Sequence, residues 1–264
     1  MIREFQELVW EKGRELYRDM AWRRDTRPYY VLVSELMLQQ TQVSRVEVKF
    51  AEFIARFPTV ESLAEAQLAD VLVLWNGLGY NRRAKFLWQA AQMIQSEFAG
   101  QFPDTLDEVI RLPGVGKNTA GAIITYAFNQ PVVFVETNIR TVYLHHFYAD
   151  RDDVTDAEIA DRLAETMDME HPREWYWALM DYGSWLKSQR LGHISGSKHY
   201  AKQSKLAGSV REMRGRILKT LANGPLDETK LKHAVNADER YVKAKQDLIA
   251  ERLITQTNKT ISLG

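Results

Sequence analysis

Apolar side chains recur three and four residues apart through most of residues 1–190, the spacing of one face of an α-helix. FQELVWEKGRELY sets Phe5, Leu8, Val9, Leu16 and Tyr17 on such a face. PYYVLVSELMLQQTQVSRVEVKFAEFIARF is long enough for two helices in succession. PTVESLAEAQLADVLVLW opens with Pro58 and Thr59 and carries Glu61 in its first turn, a helix start in which polar groups occupy free backbone N–H donors. NRRAKFLWQAAQMIQSEF and DAEIADRLAETMDM are also amphipathic, whereas PVVFV at 131–135 is strand-like but too short to found a sheet. The pattern predicts a mostly α fold.

After residue 190 the pattern changes. SQRLGHISGSKHYAKQSKLAGS is basic, rich in Gly and Ser and weakly periodic, which predicts an arm or linker. VREMRGRILKTLA, DETKLKHAV and DERYVKAKQDLIAERLI follow as three short helical patterns, and TQTNKTISLG alternates as a small hairpin does. Three helices and a β-tip predict a winged-helix-like module. Such a module can bind DNA or simply pack on a neighbour, and the sequence leaves both open.

Composition narrows the chemistry. A chain of 264 residues, 45% hydrophobic and 11% aromatic, can bury a substantial core. Lys plus Arg equals Asp plus Glu at 35 each, so any nucleic-acid surface has to be a local patch. The absence of Cys removes disulfides, thiolate zinc sites, iron–sulfur clusters and Cys nucleophiles together. MIREFQELVWEKGRELYRDM carries charges throughout, so neither a signal peptide nor a membrane span is expected, and a cytoplasmic location is.

One stretch departs from helix-and-link grammar. RLPGVGKNTA, 111–120, places a Pro and two Gly between TLDEVIRL, with Leu106, Val109, Ile110 and Leu112 at helical spacing, and NTAGAIITYAF, apolar nearly all round. A link this short turns two helices sharply, and its glycines let the backbone approach a ligand closely. The amides around Gly114 and Gly116, with Lys117 at the next helix start, suit a phosphate oxygen. Taken alone, the link fits an ordinary helical hairpin as well.

LPGVGKNTAGAI does not stand alone. SELMLQQTQV (34–43), WNGLGYNRRAKFL (75–87), VETNIRTV (135–142) and ALMDYG (178–183) accompany it. In this order and at these separations, the segments resemble the helix-hairpin-helix DNA glycosylase superfamily, closest to its MutY-like adenine glycosylases and to endonuclease III. The resemblance covers roughly residues 22–190. It implies a two-lobed helical fold whose hairpin grips DNA phosphates while a flipped base enters the cleft. The implied domains are a helical barrel lobe with the hairpin at 22–135, a second helical lobe from 1–21 plus 136–195, and the basic arm and winged-helix-like module at 196–264. The implied partner is double-stranded DNA with a damaged or mismatched base, bound by a monomer without a membrane. No resident cofactor or metal site is expected beyond a monovalent cation that hairpin carbonyls can hold; His145 and His146 read as packing or phosphate-facing.

Removing a base from deoxyribose passes through an oxocarbenium-like transition state, which calls for a proton on the leaving base and negative charge near the sugar. Two carboxylates can divide these roles, and the base must leave the stack to reach them. Glu35 is crowded by Leu32, Leu36 and Leu38, where burial disfavours the anion; the resemblance makes it the acid that protonates the base. Glu136 matches a position that is normally Asp in the family, and the resemblance makes it the charge stabiliser or water-activating base, with a side chain one methylene longer. Asn138 matches the Asn that orients the acid or water. Asn118 stands where endonuclease III-type enzymes carry a Lys that attacks the sugar; an amide cannot form a Schiff base, so a monofunctional glycosylase without lyase activity is expected. Gln39, Gln40, Leu78 and Tyr80 match residues that enter the duplex and contact the opposite base. Arg82, Arg83, Lys85, Lys117, Lys198 and Lys202 are expected on phosphates, and Asp181 is expected as a structural cap.

Three departures bear on the substrate. No cysteines follow ALMDYG, so the basic arm is expected to replace the cluster loop on DNA. The tail is too short, and wrongly patterned, for the Nudix-like domain that reads 8-oxoguanine in MutY. Trp177 falls where MutY has an adenine-reading Gln; with Asn118 it is expected to line the base pocket, where it can stack on a base but cannot offer a paired donor and acceptor. Adenine opposite guanine or 8-oxoguanine is the implied substrate. A different damaged base, or a lesion-binding protein without chemistry, are the alternatives.

Overall fold

The computed structural model describes residues 2–192 and 206–264. Their contacts group them into two compact units, one of residues 2–31, 104–111 and 115–192, the other of residues 32–103, 112–114 and 206–264. The lobe boundary read at 135/136 therefore lies inside the first unit, and the C-terminal module belongs with 32–103.

In the first unit, α1 (Ile2–Glu15) packs on α11 (Asp156–Thr166) and α12 (Pro172–Ser188), and α12 packs on α10 (Thr137–Phe147). Phe5, Val9, Val142, Tyr143, Leu163, Trp175 and Leu179 form the core of this group. Phe5 meets Tyr143, Phe147 and Trp175 edge to face, the arrangement aromatic quadrupoles favour. Two glycines set how closely the helices approach. A Cβ on Gly13 would lie 2.5 Å from the Cβ of Ala178, and one on Gly183 would lie 2.1 Å from the Asn138 carbonyl oxygen. Asp181, expected as a cap, is instead an interior anchor in α12. It accepts from Arg18 Nε at 2.5 Å and from both Nη atoms of Arg23, at 2.6 and 3.0 Å, so the loop after α1 and the short α2 (Ala21–Arg24) are tied to α12.

α8 (Leu106–Val109) is a single turn capped by Thr105, and α9 (Lys117–Phe128) buries Ala120, Ala122, Ile123, Ile124 and Tyr126. Residues 131–136 belong to no helix or strand, and Tyr176 pins them. Its hydroxyl donates to Val132 O at 2.7 Å and accepts from Phe134 N at 3.2 Å, while Phe134 stacks on its ring. α3 (Pro28–Leu38) carries the chain from the first unit into the second.

In the second unit α3 continues into α4 (Val43–Arg56), followed by α5 (Val60–Ala64), α6 (Leu68–Trp75) and α7 (Arg82–Glu97). The expected two-helix run breaks between Leu38 and Val43, and the segment after Pro58 divides at residues 65–67. Its capping box joins Thr59 to Ser62 rather than to Glu61. Phe53, Phe57, Leu63, Trp75 and Leu87 fill the core.

The C-terminal module has the expected three helices, α13 (Val210–Leu221), α14 (Glu228–Ala234) and α15 (Arg240–Ala250). Its sheet holds β1 (Leu226–Asp227), β2 (Ile254–Thr257) and β3 (Thr260–Leu263), antiparallel in the order β1-β3-β2, with Leu226 opposite Ile261 and Ile254 opposite Leu263. Met213, Ile217, Leu231, Tyr241, Leu248 and Ile261 close its core. Lys85 of α7 donates to the Glu251 carbonyl at 2.6 Å, and β3 lies against α6. Among the described residues no helix is long and apolar enough to cross a membrane, and no group of three His, Cys, Asp or Glu could hold a metal.

Candidate active site

The first unit builds a polar corner where α9 and α10 begin. Val135 precedes Glu136, which is the N-cap residue of α10 in extended conformation. Asn118, in the first turn of α9, donates its side-chain amide to Val135 O at 2.8 Å. One helix start therefore fixes the backbone immediately before the other. Glu136 makes no side-chain capping bond, so its carboxyl is available to face elsewhere, although the helix N-terminus still favours an anion there. Burial nevertheless pushes its pKa above the ordinary carboxylate value, with Arg140 pulling the other way. Arg140 is a weak counter-charge because it forks onto Asp156, with both bonds at 2.7 Å.

Asn138 lies two residues into the same corner. Its Oδ1 is buried with no hydrogen-bond donor among the described residues, an acceptor left for a water or a ligand hydroxyl. Gly183 presses α12 onto its backbone, so this end of α10 cannot shift without moving α12.

Trp177 does not join Asn118. It is half-buried on α12, stacked with Tyr126 near the far end of α9, with the Arg23 guanidinium 5.3 Å from its ring centroid. Asn118 and Tyr126 are separated by about 12 Å along the helix axis at 1.5 Å per residue. The pocket expected from these two residues is corrected accordingly: Asn118 belongs to the α9–α10 corner, and Trp177 to the Arg23–Asp181 network.

In the second unit, Glu35 is a half-buried carboxyl on an otherwise buried stretch of α3, with Leu32, Val33, Leu36 and Met37 all at 0% exposure. The same helix is followed by Gln39, whose amide donates to Gly114 O at 3.5 Å, and Gln40, exposed and in left-handed conformation at φ 57°.

Arg83 overturns the sequence expectation. Expected on phosphate, it is buried, and its guanidinium donates to the carbonyls of Leu36, Met37 and Gln39, to those of Leu78 and Gly79, and to the Thr41 hydroxyl. Burial lowers its pKa to about 10. The donors answer carbonyls freed at the end of α3 and in the tight turn of residues 76–80, where no helix or ladder satisfies them. Arg83 thus clamps Gln39 and the turn into one piece. Leu78, expected to enter DNA, is packed inside at 3% exposure. Tyr80 does project, at φ 47°, and Arg82 is exposed over the Phe86 ring.

The hairpin takes the expected sharp form. Gly114 has φ +80° and a Cβ there would lie 2.7 Å from the Cβ of Phe86, so no other residue fits. Gly116 is the N-cap of α9 with open space around it and no side-chain cap, and Lys117 is exposed beside it. Lys198 and Lys202 lie outside the described residues. His146 is half-buried, its Nε2 hydrogen-bonded to the Tyr182 hydroxyl at 2.8 Å, and burial lowers its pKa to about 4; it packs.

Sequence reasoning missed Arg83 as a clamp, Tyr176 as the holder of residues 131–136 and Gly183 as the spacer under Asn138. A glycine inside an apolar helical pattern was the available signal for the last.

The family model for HhH-GPD superfamily base excision DNA repair proteins matches residues 33–167. The adenine DNA glycosylase of Mycobacterium tuberculosis (strain CDC 1551 / Oshkosh) is 32% identical over 264 residues, covering 91% of this chain and 87% of that one. The adenine DNA glycosylase of Buchnera aphidicola subsp. Baizongia pistaciae is 39% identical over 130 residues, 49% of this chain, and the match spans only 37% of that relative's length. A solved structure of a thermostable thymine-DNA glycosylase superposes with a TM-score of 0.64 at 22% identity, covering 69% of this chain and 86% of that one.

Proposed function

The chain belongs to the HhH-GPD superfamily of base excision DNA repair proteins, and from that premise we propose that it is a monofunctional DNA glycosylase. It hydrolyses the N-glycosidic bond of a base turned out of duplex DNA. The base we assign is adenine, in keeping with the names of the relatives, and the opposite base we assign is guanine or 8-oxoguanine.

The observation that carries the reading is the α9–α10 corner: a Glu136 carboxyl that makes no capping bond, a buried Asn138 acceptor with no donor among the described residues, and an Asn118 amide bracing the backbone at Val135, just before them. In the proposed reaction Glu35 gives a proton to the departing base as the C1′–N bond breaks. Glu136, as the anion, stabilises the sugar cation and takes a proton from the water that adds to C1′. Asn138 Oδ1 accepts the water's second hydrogen and so orients it. With its pKa raised by burial, Glu136 is a stronger base than a free carboxylate, which suits proton abstraction. Asn118 supplies no amine, so the product is an intact strand with an abasic site.

Phosphate binding falls to Lys117 and the open N-terminus of α9. A monovalent cation would find its ligands among the hairpin carbonyls, of which Gly114 O is already approached by the Gln39 amide at 3.5 Å. With no Cys in the chain there are no thiolates for a cluster. The protein is proposed to act as a monomer in the cytoplasm.

The test is single-turnover incubation with duplexes carrying different mismatches and lesions, followed by alkali. Wild type is expected to release adenine and leave no borohydride-trapped adduct. Glu35→Gln is expected to abolish release while retaining duplex binding. Release that persists in Glu35→Gln, or an adduct with wild type, would overturn the assignment of roles.

A further inference from the structure

Within the second unit an open groove of about 1110 Å³ runs between α13 and the turn at residues 76–83. It is larger than the pockets that usually hold small ligands. Arg45, Tyr80 and Arg82 line it on one side, and Arg211, Gly215 and Lys219 of the C-terminal module on the other.

Its charge is one-sided. The acids at the groove are each held by a base: Glu212 by Arg216 and Arg240 at 2.7 and 2.9 Å, Asp247 by Lys243 at 2.7 Å, and Glu251 by Arg214 at 2.5 Å. Arg45, Arg82 and Lys219 are exposed and make no ion pair among the described residues. Arg211 reaches across to donate to the Tyr80 hydroxyl and lies over the Tyr80 ring, so a module residue holds the one projecting aromatic of the turn.

Gly215 is the second pointer. It sits inside α13, where glycine weakens a helix relative to alanine. No packing explains it, because a Cβ there would meet nothing within 4 Å. What a bare backbone at this position provides is clearance along the groove.

We infer that this groove binds the sugar–phosphate backbone of one strand of duplex DNA, with α13 supplying phosphate contacts and Arg211 positioning Tyr80. The inference rests on the glycosylase reading and extends the DNA surface into the C-terminal module. Phosphates meet Arg45 and Lys219, and Gly215 lets the strand lie against the helix.

The test measures affinity for a short undamaged duplex as a function of salt, using the full chain, so that turnover plays no part. Lys219→Gln and Arg45→Gln are each expected to reduce the slope of log K against log salt by about 0.9, and together by about twice that. Gly215→Gln is expected to weaken binding by about tenfold, the size of one lost charge-assisted contact, with no fall in thermal midpoint. A second aim is Tyr80: Arg211→Ala is expected to weaken binding, and Arg211→Gln, which keeps a donor for the hydroxyl but not the charge, to recover part of the affinity with a lowered slope. Variants that bind with the wild-type affinity and slope would overturn the groove proposal alone. Wild type that binds no duplex would overturn the glycosylase reading instead.

Discussion

Two titratable side chains of the first unit, Glu136 and His146, are tuned by burial more than by ion pairing. Glu136 is the case at the proposed site: the helix start favours its anion, yet desolvation dominates and raises its pKa, while the Arg140 guanidinium is committed to Asp156. His146 is the structural counterpart. Its folded pKa of about 4 lies below the unfolded value of 6.5, lowered first by burial and then by the neighbouring His145. The unfolded chain therefore binds the extra proton across that interval, and stability rises with pH from about 4 to 6.5. The contribution is complete above 6.5 and lost as pH falls through 4. Urea midpoints measured over this range should fall steeply toward acid for wild type. His146→Gln, which can still bond the Tyr182 hydroxyl, should flatten that acid limb; an unchanged limb would mean that other groups set it.

Helices meet at glycines, and the two closest approaches separate stability from function. Gly183→Ala forces α12 away from the Asn138 backbone, an atom that cannot give way, and overpacking of this kind costs about 1–3 kcal/mol or more. Gly13→Ala meets the Cβ of Ala178 at 2.5 Å and its Cα at 3.3 Å, on the other contact of α12. Both should lower the unfolding free energy. Only Gly183→Ala should also slow base release in folded, saturated enzyme, since it moves the α10 start that carries Glu136 and Asn138, and Ala178→Gly should rescue Gly13→Ala alone. The helices themselves were legible in the sequence because their apolar periodicity is a local property, as was the hairpin, because Gly114 answers a backbone demand. Arg83 was not. Its place in RRAKF gives a helical position but says nothing of the carbonyls of Leu36, Met37 and Gln39, more than forty residues earlier, that draw it inward. Leu78 was misread for the same reason, and Trp177 because its partners Arg23 and Tyr126 are distant in sequence. Spacing reveals faces; it does not reveal which long-range partner claims a side chain.

At the scale of the whole molecule the question is whether residues 206–264 are an attachment or a part. A net charge of zero gives no help, since the basic groove is balanced elsewhere in the chain. The contacts do help. The module has its own small core, but one of a size that is marginal alone. It shares the second unit with 32–103 through Lys85 on the Glu251 carbonyl, Arg211 on Tyr80 and β3 against α6. Lys85 is half-buried and desolvation lowers its pKa, so the carbonyl is a needed partner for its ammonium. Ending the chain at residue 205 should therefore lower the thermal midpoint of what remains by several degrees, the shift expected when about 1–2 kcal/mol of packing and hydrogen bonding is withdrawn. Lys85→Met should move the full chain in the same direction by less. A truncated chain that melts where the intact one does would show a tethered appendage. The groove would then lack the fixed wall that α13 gives it, and Gly215→Gln should leave duplex affinity untouched.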